Sequence, residues 1–171
     1  MTLIKPEGSI PIPKNAVIYQ TLRNKLLSLN PREVDITATT EHPTVWGVMM
    51  ETAYPEAIVT LAALVDGTTS LYFSSGGGIL GSGNHPTVGT AARQMVSIAE
   101  MALEFTQPVK EYPSPIAGNI RFYLLTFEGI HSAECPEREL QSGKHSLSEL
   151  YAAGQKLIAQ IRMVSEKKKP G

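Results

Sequence analysis

Residues 64–75, LVDGTTSLYFSS, carry the strongest turn and strand signals in the chain. Asp66-Gly67 favours a two-residue type I′ hairpin turn, in which both central residues have positive φ. Residues 57–65 before the turn are nearly all apolar, and residues 68–74 after it are again rich in strand-forming types. The stretch therefore predicts two antiparallel strands, the first of them covered on both faces.

Three further strands are predicted around this hairpin. One covers residues 45–52, and its alternating apolar residues are expected on one face: Trp46, Val48 and Met50. The other two cover residues 119–127 and 130–135 and are joined by a second hairpin turn at Glu128-Gly129. The chain is thus expected to form five strands, most of them connected by hairpins.

Three helices complete the predicted order. Asn15 caps a helix over 16–29, and residues 86–105 form a long amphipathic helix with an alanine-rich apolar face. A capping box at residues 146–149, Ser-Leu-Ser-Glu, begins the last helix. The order α-βββ-α-ββ-α predicts an α+β fold, a five-stranded, largely antiparallel sheet with helices packed on its faces.

Composition indicates one globular domain. The chain has 171 residues, 42% of them hydrophobic, and a formal net charge of -1. We expect an extended N-terminal arm over residues 1–14, a single α+β domain over 15–165 and a basic tail over 166–171.

Charge and cysteine usage exclude several classes of protein. Residues 33–92 contain six acidic residues and neither lysine nor arginine, which argues against nucleic-acid binding. The lone cysteine, Cys135, excludes an intrachain disulfide framework and a multi-cysteine zinc site. Because neither a signal peptide nor a run of eighteen apolar residues occurs, a cytoplasmic protein without a membrane segment is expected.

A glycine-rich segment lies between the predicted third strand and the central helix. Glycine lets backbone N–H groups approach a ligand closely, and a helix start adds unpaired N–H donors. Three interpretations remain open: a tight chain path, a site for a small anion, or a partner-binding loop. The candidate ligand-binding residues are Ser75, Gly76, Gly77, Gly78, Gly81, Ser82, Gly83, Asn84 and His85.

Two nucleotide-binding patterns are incomplete in this segment. Gly76-x-Gly78-x-x-Gly81 matches the dinucleotide pattern, but no acidic residue ends a following strand about twenty residues later. The Lys-Ser/Thr ending of a Walker A loop is absent. No cofactor is therefore predicted.

The histidines and the cysteine do not form a convincing catalytic set. His85 begins a helix beside the glycines, where a neutral imidazole could serve as donor or base. His131 and Cys135 lie on one predicted strand roughly 13 Å apart, too far for proton transfer. No two histidines have metal-ligand spacing, so neither catalytic residues nor a metal site are predicted.

The hairpin "LVDGTTSLYFSS" and the alanine-rich helix over 86–105 resemble roadblock/dynein light-chain domains of the profilin-like group. This resemblance spans about residues 45–165, although three strands are predicted before the central helix where roadblock domains have two. It implies a non-catalytic scaffold, often dimeric, that binds small GTPases or assembly partners, and it implies no particular site residue. The chain also resembles bacterial proteins.

Two functions follow from these observations. The first is a non-enzymatic interaction or regulatory domain that binds a protein partner or itself, as a homodimer. The alternative is a small-molecule-binding protein or enzyme that holds a phosphate or carboxylate at residues 75–85, with His85 as its polar anchor. Neither nucleic acid nor membrane is an expected partner.

Overall fold

The structure, a computed structural model, describes residues 14–80 and 82–168. Among these, seven strands form one antiparallel sheet in the order β4-β3-β2-β1-β6-β7-β5. The strands are β1 (Val45–Ala53), β2 (Ile58–Leu64), β3 (Thr69–Phe73), β4 (Gly78–Leu80), β5 (Gln107–Val109), β6 (Asn119–Thr126) and β7 (Gly129–Pro136). The helices are α1 (Lys14–Leu27), α2 (Pro86–Ala102), α3 (Glu137–Gln141) and α4 (Ser148–Lys168).

The predicted α+β class and antiparallel sheet are confirmed, but the expected count of five strands is wrong. The two additional strands, β4 and β5, are three residues long and lie at the two edges of the sheet. β4 lies within the glycine-rich segment and β5 within a proline-rich one. Such short strands show no alternation in sequence, and glycine and proline are both uncommon in strands, so local pattern did not indicate them.

The sheet is covered on both faces. α2 and α4 pack over one face on a core that includes Met50, Leu61 and Phe122. The opposite face carries α1 and a connector, defined as residues 106–118, which runs from the end of α2 to β6. A second apolar cluster on that face joins Leu27 of α1 to the sheet. The described α1 begins at Lys14, so Asn15, the expected cap, lies inside the helix.

An irregularity in β1 changes the face on which Trp46 lies. The pairing of β1 with β6 shifts register between Val45 and Gly47. Trp46 therefore packs with the α1-side cluster, whereas Val48 and Met50 pack under α2 and α4. The prediction that these three residues share a face was wrong for Trp46, because a bulge interrupts the two-residue period of the strand.

The last helix begins at Ser148, and the turn before it is held by His145 and not by Ser146. His145 Nδ1 accepts the Leu147 backbone N–H at 3.0 Å, and Ser148 Oγ accepts the His145 N–H at 3.1 Å. Ser146 is exposed instead. α4 continues to Lys168, so the predicted basic tail begins as helix and its last three residues lie outside the described part. The predicted arm lies outside it too, except for Lys14.

Candidate functional site

A row of polar side chains crosses the sheet on the face covered by α1 and the connector. Its members occupy directly paired positions on five neighbouring strands and therefore share a face. The row consists of Tyr72 on β3, Thr60 on β2, Glu51 on β1, Arg121 on β6 and Glu134 on β7.

An ion pair joins the centre of this row to α1. Arg23 donates from Nε to Glu51 Oε2 at 2.8 Å and from Nη2 to Glu51 Oε1 at 2.9 Å. Thr60 donates to the same carboxylate at 2.8 Å, and the Tyr19 hydroxyl lies 3.3 Å from it. Burial disfavours the Arg23 charge, but the hydrogen bonds and charge of Glu51 outweigh it and raise the pKa of Arg23. The carboxylate and the guanidinium therefore satisfy each other's hydrogen-bonding groups.

A second ion pair holds the connector. Arg121 Nε donates to Glu134 Oε1 at 2.8 Å, and Glu134 Oε2 accepts the backbone N–H of Ile116 at 3.1 Å. The Tyr123 ring lies between the two arginines, 5.6 Å from the Arg23 guanidinium carbon and 5.8 Å from that of Arg121.

The backbone of the connector completes this network. Arg23 Nη2 donates to the Tyr112 carbonyl at 2.8 Å, and the Tyr123 hydroxyl donates to the carbonyl of Pro113. Because these carboxylates are engaged by arginines, the row positions α1 and the connector and offers no free carboxylate.

A cleft of about 1090 Å³ opens at one end of the sheet, where the last turn of α1 faces the connector. Its floor includes Trp46, whose Nε1 donates to the Thr126 carbonyl at 3.1 Å. Large apolar side chains that are only half-buried line the walls. They are Leu29, Val109, Tyr112, Phe127 and Ile130.

Polar groups surround this apolar lining. Lys110 and Glu128 are exposed at the cleft. A second depression of about 460 Å³ shares Asn30, Pro31 and Phe127 with the cleft and adds Arg32. The two together form a groove with an apolar centre and a mixed-charge rim.

The first part of the glycine-rich segment forms a hairpin turn. Residues 74–77 connect β3 to β4, with Ser75, Gly76 and Gly77 among them, and Gly76 donates its N–H to the Phe73 carbonyl at 3.0 Å. Phe73 in turn donates to the Gly77 carbonyl at 3.2 Å. Gly76 and Gly77 have φ values of +119° and +83°, which explains glycine at both. Gly78 is the first residue of β4.

The second part of the segment packs against the Asp66-Gly67 turn. Ser82, Gly83 and Asn84 form a 3-10 turn, and a Cβ on Gly83 would lie 2.1 Å from the Gly67 carbonyl oxygen. His85 is the N-cap of α2, but its side chain makes no capping hydrogen bond. Gly81 lies outside the described residues.

Arg93 on α2 lies beside this second part. Its Nη2 donates to the Asp66 carbonyl at 2.9 Å. An added Cβ on Gly67 would approach Arg93 Nη2 to 2.8 Å, and one on Gly89 would approach Nη1 to 3.2 Å and the Gly83 carbonyl to 3.0 Å. The fold therefore brings a cation to a segment that has none near it in sequence.

The remaining reactive residues are dispersed. His131 Nδ1 lies 3.2 Å from Thr106 Oγ1, and His145 caps α4. Cys135 is buried in the α2/α4 core, and burial, aided by Glu139 and Glu134, raises the pKa of its thiol to about 11. Within residues 14–80 and 82–168, no three or more His, Cys, Asp or Glu side chains form a group able to hold a metal ion.

The ion-pair row was not predicted from the sequence. Glu51 was only one of the six acidic residues counted in residues 33–92, and Arg23 was not singled out. The available signal was a single carboxylate inside the otherwise apolar strand VWGVMMETA. A buried carboxylate requires a partner, but only the tertiary structure shows that Arg23 supplies it.

Comparison of the chain with protein-family models, curated proteins and solved structures found no match. Within the described part of the chain, every helix is too short or too polar to span a lipid bilayer.

Proposed function

We propose that the protein is a non-enzymatic interaction domain that self-associates, and that the cleft is its docking surface. The observation that carries this proposal is the set of half-buried apolar side chains around Trp46, rimmed by Lys110 and Glu128. Interfaces commonly combine an apolar, aromatic centre with a polar rim. The high pKa and burial of Cys135 also favour a binding role over thiol catalysis.

Strand addition is a poor route to self-association in this chain. Both edge strands, β4 and β5, have three residues, and short edges resist pairing with another sheet. Pro108 in β5 also lacks the N–H that a new strand would need. A contact through side chains is therefore favoured.

A second copy of the chain offers apolar side chains suited to the cleft. Ile116 on the connector is 71% exposed, and Phe105, between the cleft residues Leu103 and Pro108, is 47% exposed. Exposed apolar side chains and a concave, partly apolar surface thus lie on the same chain, as a self-complementary interface requires. The roadblock resemblance supports the same role, although four strands, not two, precede α2.

Sedimentation velocity over a wide concentration range tests this proposal. We expect a dimer that dissociates on dilution and is lost in Ile116→Asp, a substitution at an exposed position. Met163→Asp, at a half-exposed position of α4 on the other face of the sheet, should remain dimeric. A wild-type protein that is monomeric at every concentration contradicts self-association, and equal effects of the two substitutions contradict this surface. A cytoplasmic location fits the unpaired thiol of Cys135.

The position of Arg93 favours one alternative, binding of a small anion beside Gly83 and the first turn of α2. Inorganic phosphate should then raise the melting temperature of the wild-type protein, and less so that of Arg93→Met. Arg162→Met, at an exposed position on α4, is the matched control. An unchanged melting temperature at millimolar phosphate rejects this alternative.

A further inference from the structure

The rim of the cleft carries one full charge of each sign. Among the described residues that line the cleft, only Lys110 and Glu128 have an ammonium, guanidinium or carboxylate group. Arg32 lines the adjoining depression and not the cleft itself. The side chains of Lys110 and Glu128 are exposed, and neither forms an ion pair with any residue of ranges 14–80 and 82–168. Both charges are therefore available to a partner that docks at the cleft.

Lys110 and Glu128 lie at one corner of the sheet. Lys110 directly follows Val109, which pairs with Ile130 at the end of the β5–β7 ladder. Glu128 lies in the turn that joins β6 to β7, one residue before β7 begins. The continuation of the ladder therefore brings the two charges to the same side of the cleft, as neighbours.

Self-association through a rim with this charge pattern favours one orientation of a two-fold axis. In a two-fold interface, a contact of residue i with residue j is always repeated as a contact of j with i. An axis in the plane of the interface, at right angles to the line between Lys110 and Glu128, sets the lysine of each copy against the glutamate of the other. An axis along that line sets like charges against each other, which weakens association.

We infer that two copies dock about the first of these axes and form two ion pairs, each between Lys110 of one copy and Glu128 of the other. This inference rests on the proposed self-association at the cleft and assigns the orientation of the partner there. The ion pairs lie at the rim of the interface, where charges select the orientation of a partner and speed its encounter.

Charge reversal tests this inference by sedimentation velocity. The measurements are made at pH 8, above the ordinary pKa of histidine, because His131 also lines the cleft. We expect Lys110→Glu and Glu128→Lys each to weaken dimerisation at least about ten-fold, because each turns two attractive pairs into two repulsive ones. The double variant Lys110→Glu/Glu128→Lys restores opposite charges and should dimerise within about three-fold of the wild type. Lys144→Glu and Glu56→Lys, reversals at exposed positions outside the cleft, are the matched controls and should dimerise as the wild type does.

Mixing the two single variants gives an independent measurement. At the rim of the cleft, Lys110→Glu has only acidic and Glu128→Lys only basic charges, so each variant repels itself and attracts the other. An equimolar mixture should therefore sediment as a heterodimer, with an affinity at least about ten-fold above that of either variant alone. Because a misfolded variant would not regain association on mixing, this result also shows that the loss of dimerisation in the single variants is not unfolding.

The outcomes separate this inference from the proposed function. If the wild-type protein dimerises and the single reversals dimerise equally well, the inference is overturned while self-association stands. A mixture of the two variants that associates no better than either variant alone overturns it in the same way. A wild-type protein that is monomeric at every concentration contradicts the proposed function and this inference together.

Discussion

Arg23 on α1 and Glu51 on β1 form a bidentate ion pair whose side chains are 5% and 0% exposed. The pair joins a helix to the centre of the sheet across 28 residues of sequence. The same guanidinium also donates to the backbone of the connector at Tyr112 and Pro113. One arginine thus fixes both elements that form the walls of the cleft.

Breaking this ion pair should be costly. Arg23→Met leaves the Glu51 carboxylate buried without its cation, and we expect the free energy of unfolding to fall by about 3–5 kcal/mol. Urea denaturation measures this change. The double variant Arg23→Met/Glu51→Met removes both charges and should be clearly more stable than the single one; if it is not, the cost lies in lost packing and not in the unpaired charge.

Gly83 should be intolerant of any side chain. Its Cβ would lie 2.1 Å from a backbone oxygen of Gly67, which cannot move without opening the Asp66-Gly67 turn. We expect Gly83→Ala to lower the free energy of unfolding by at least about 2 kcal/mol. Gly77 has φ of +83° but open space around it, so Gly77→Ala should cost only about 1 kcal/mol. If thermal unfolding showed Gly77→Ala to be more destabilising than Gly83→Ala, the close contact between Gly83 and the Asp66-Gly67 turn would be wrong.

The start of α4 offers a direct test of the observed cap. His145→Ala removes the acceptor of the Leu147 N–H and should destabilise the protein by about 1 kcal/mol. Ser146→Ala, at the position that the sequence pattern favoured, should change stability little because Ser146 is exposed. Chemical denaturation of both variants decides which residue caps the helix.

Burial of Cys135 should produce a loss of stability at alkaline pH. Its thiol pKa is raised by burial to about 11, so the unfolded chain releases this proton at lower pH than the native protein does. The contribution of Cys135 to the free energy of unfolding is therefore fully present below the ordinary thiol pKa and should be lost as pH rises from about 9 toward 11. Cys135→Ala should reduce that fall, and tyrosines whose pKa values are also raised by burial, Tyr19 and Tyr72 among them, contribute to the rest.

Alkylation provides an independent measurement of the same thiol. A rise of about two pKa units lowers the thiolate fraction about 100-fold, so native protein at pH 8 should react with iodoacetamide at least that much more slowly than denatured protein. Comparable rates would show that Cys135 is accessible and its pKa ordinary.

The candidate sites were less predictable than the fold. The glycine-rich segment was recognised from composition, yet its two halves have different structural roles, and Arg93 reaches it from the second turn of α2. The cleft depends on residues from α1, β1, β6 and the connector that are far apart in sequence. No local sequence pattern predicts which side chains around the cleft remain half-exposed once the elements have packed together.

The amino-acid sequence alone determined the features that depend on neighbouring residues. The hairpin that joins β2 to β3 and the central amphipathic helix follow from backbone preference and apolar periodicity, which act over a few residues. The predicted type I′ geometry of that hairpin was wrong: Gly67 has φ of +94° but Asp66 does not have positive φ, and the Gly67 N–H donates to the Leu64 carbonyl at 2.9 Å. The tertiary structure decided the face on which Trp46 lies, the two edge strands and the partner of Glu51. These features depend on bulges, strand pairing and buried charge, whose energies are set by residues distant in the chain and become defined only when the elements pack together.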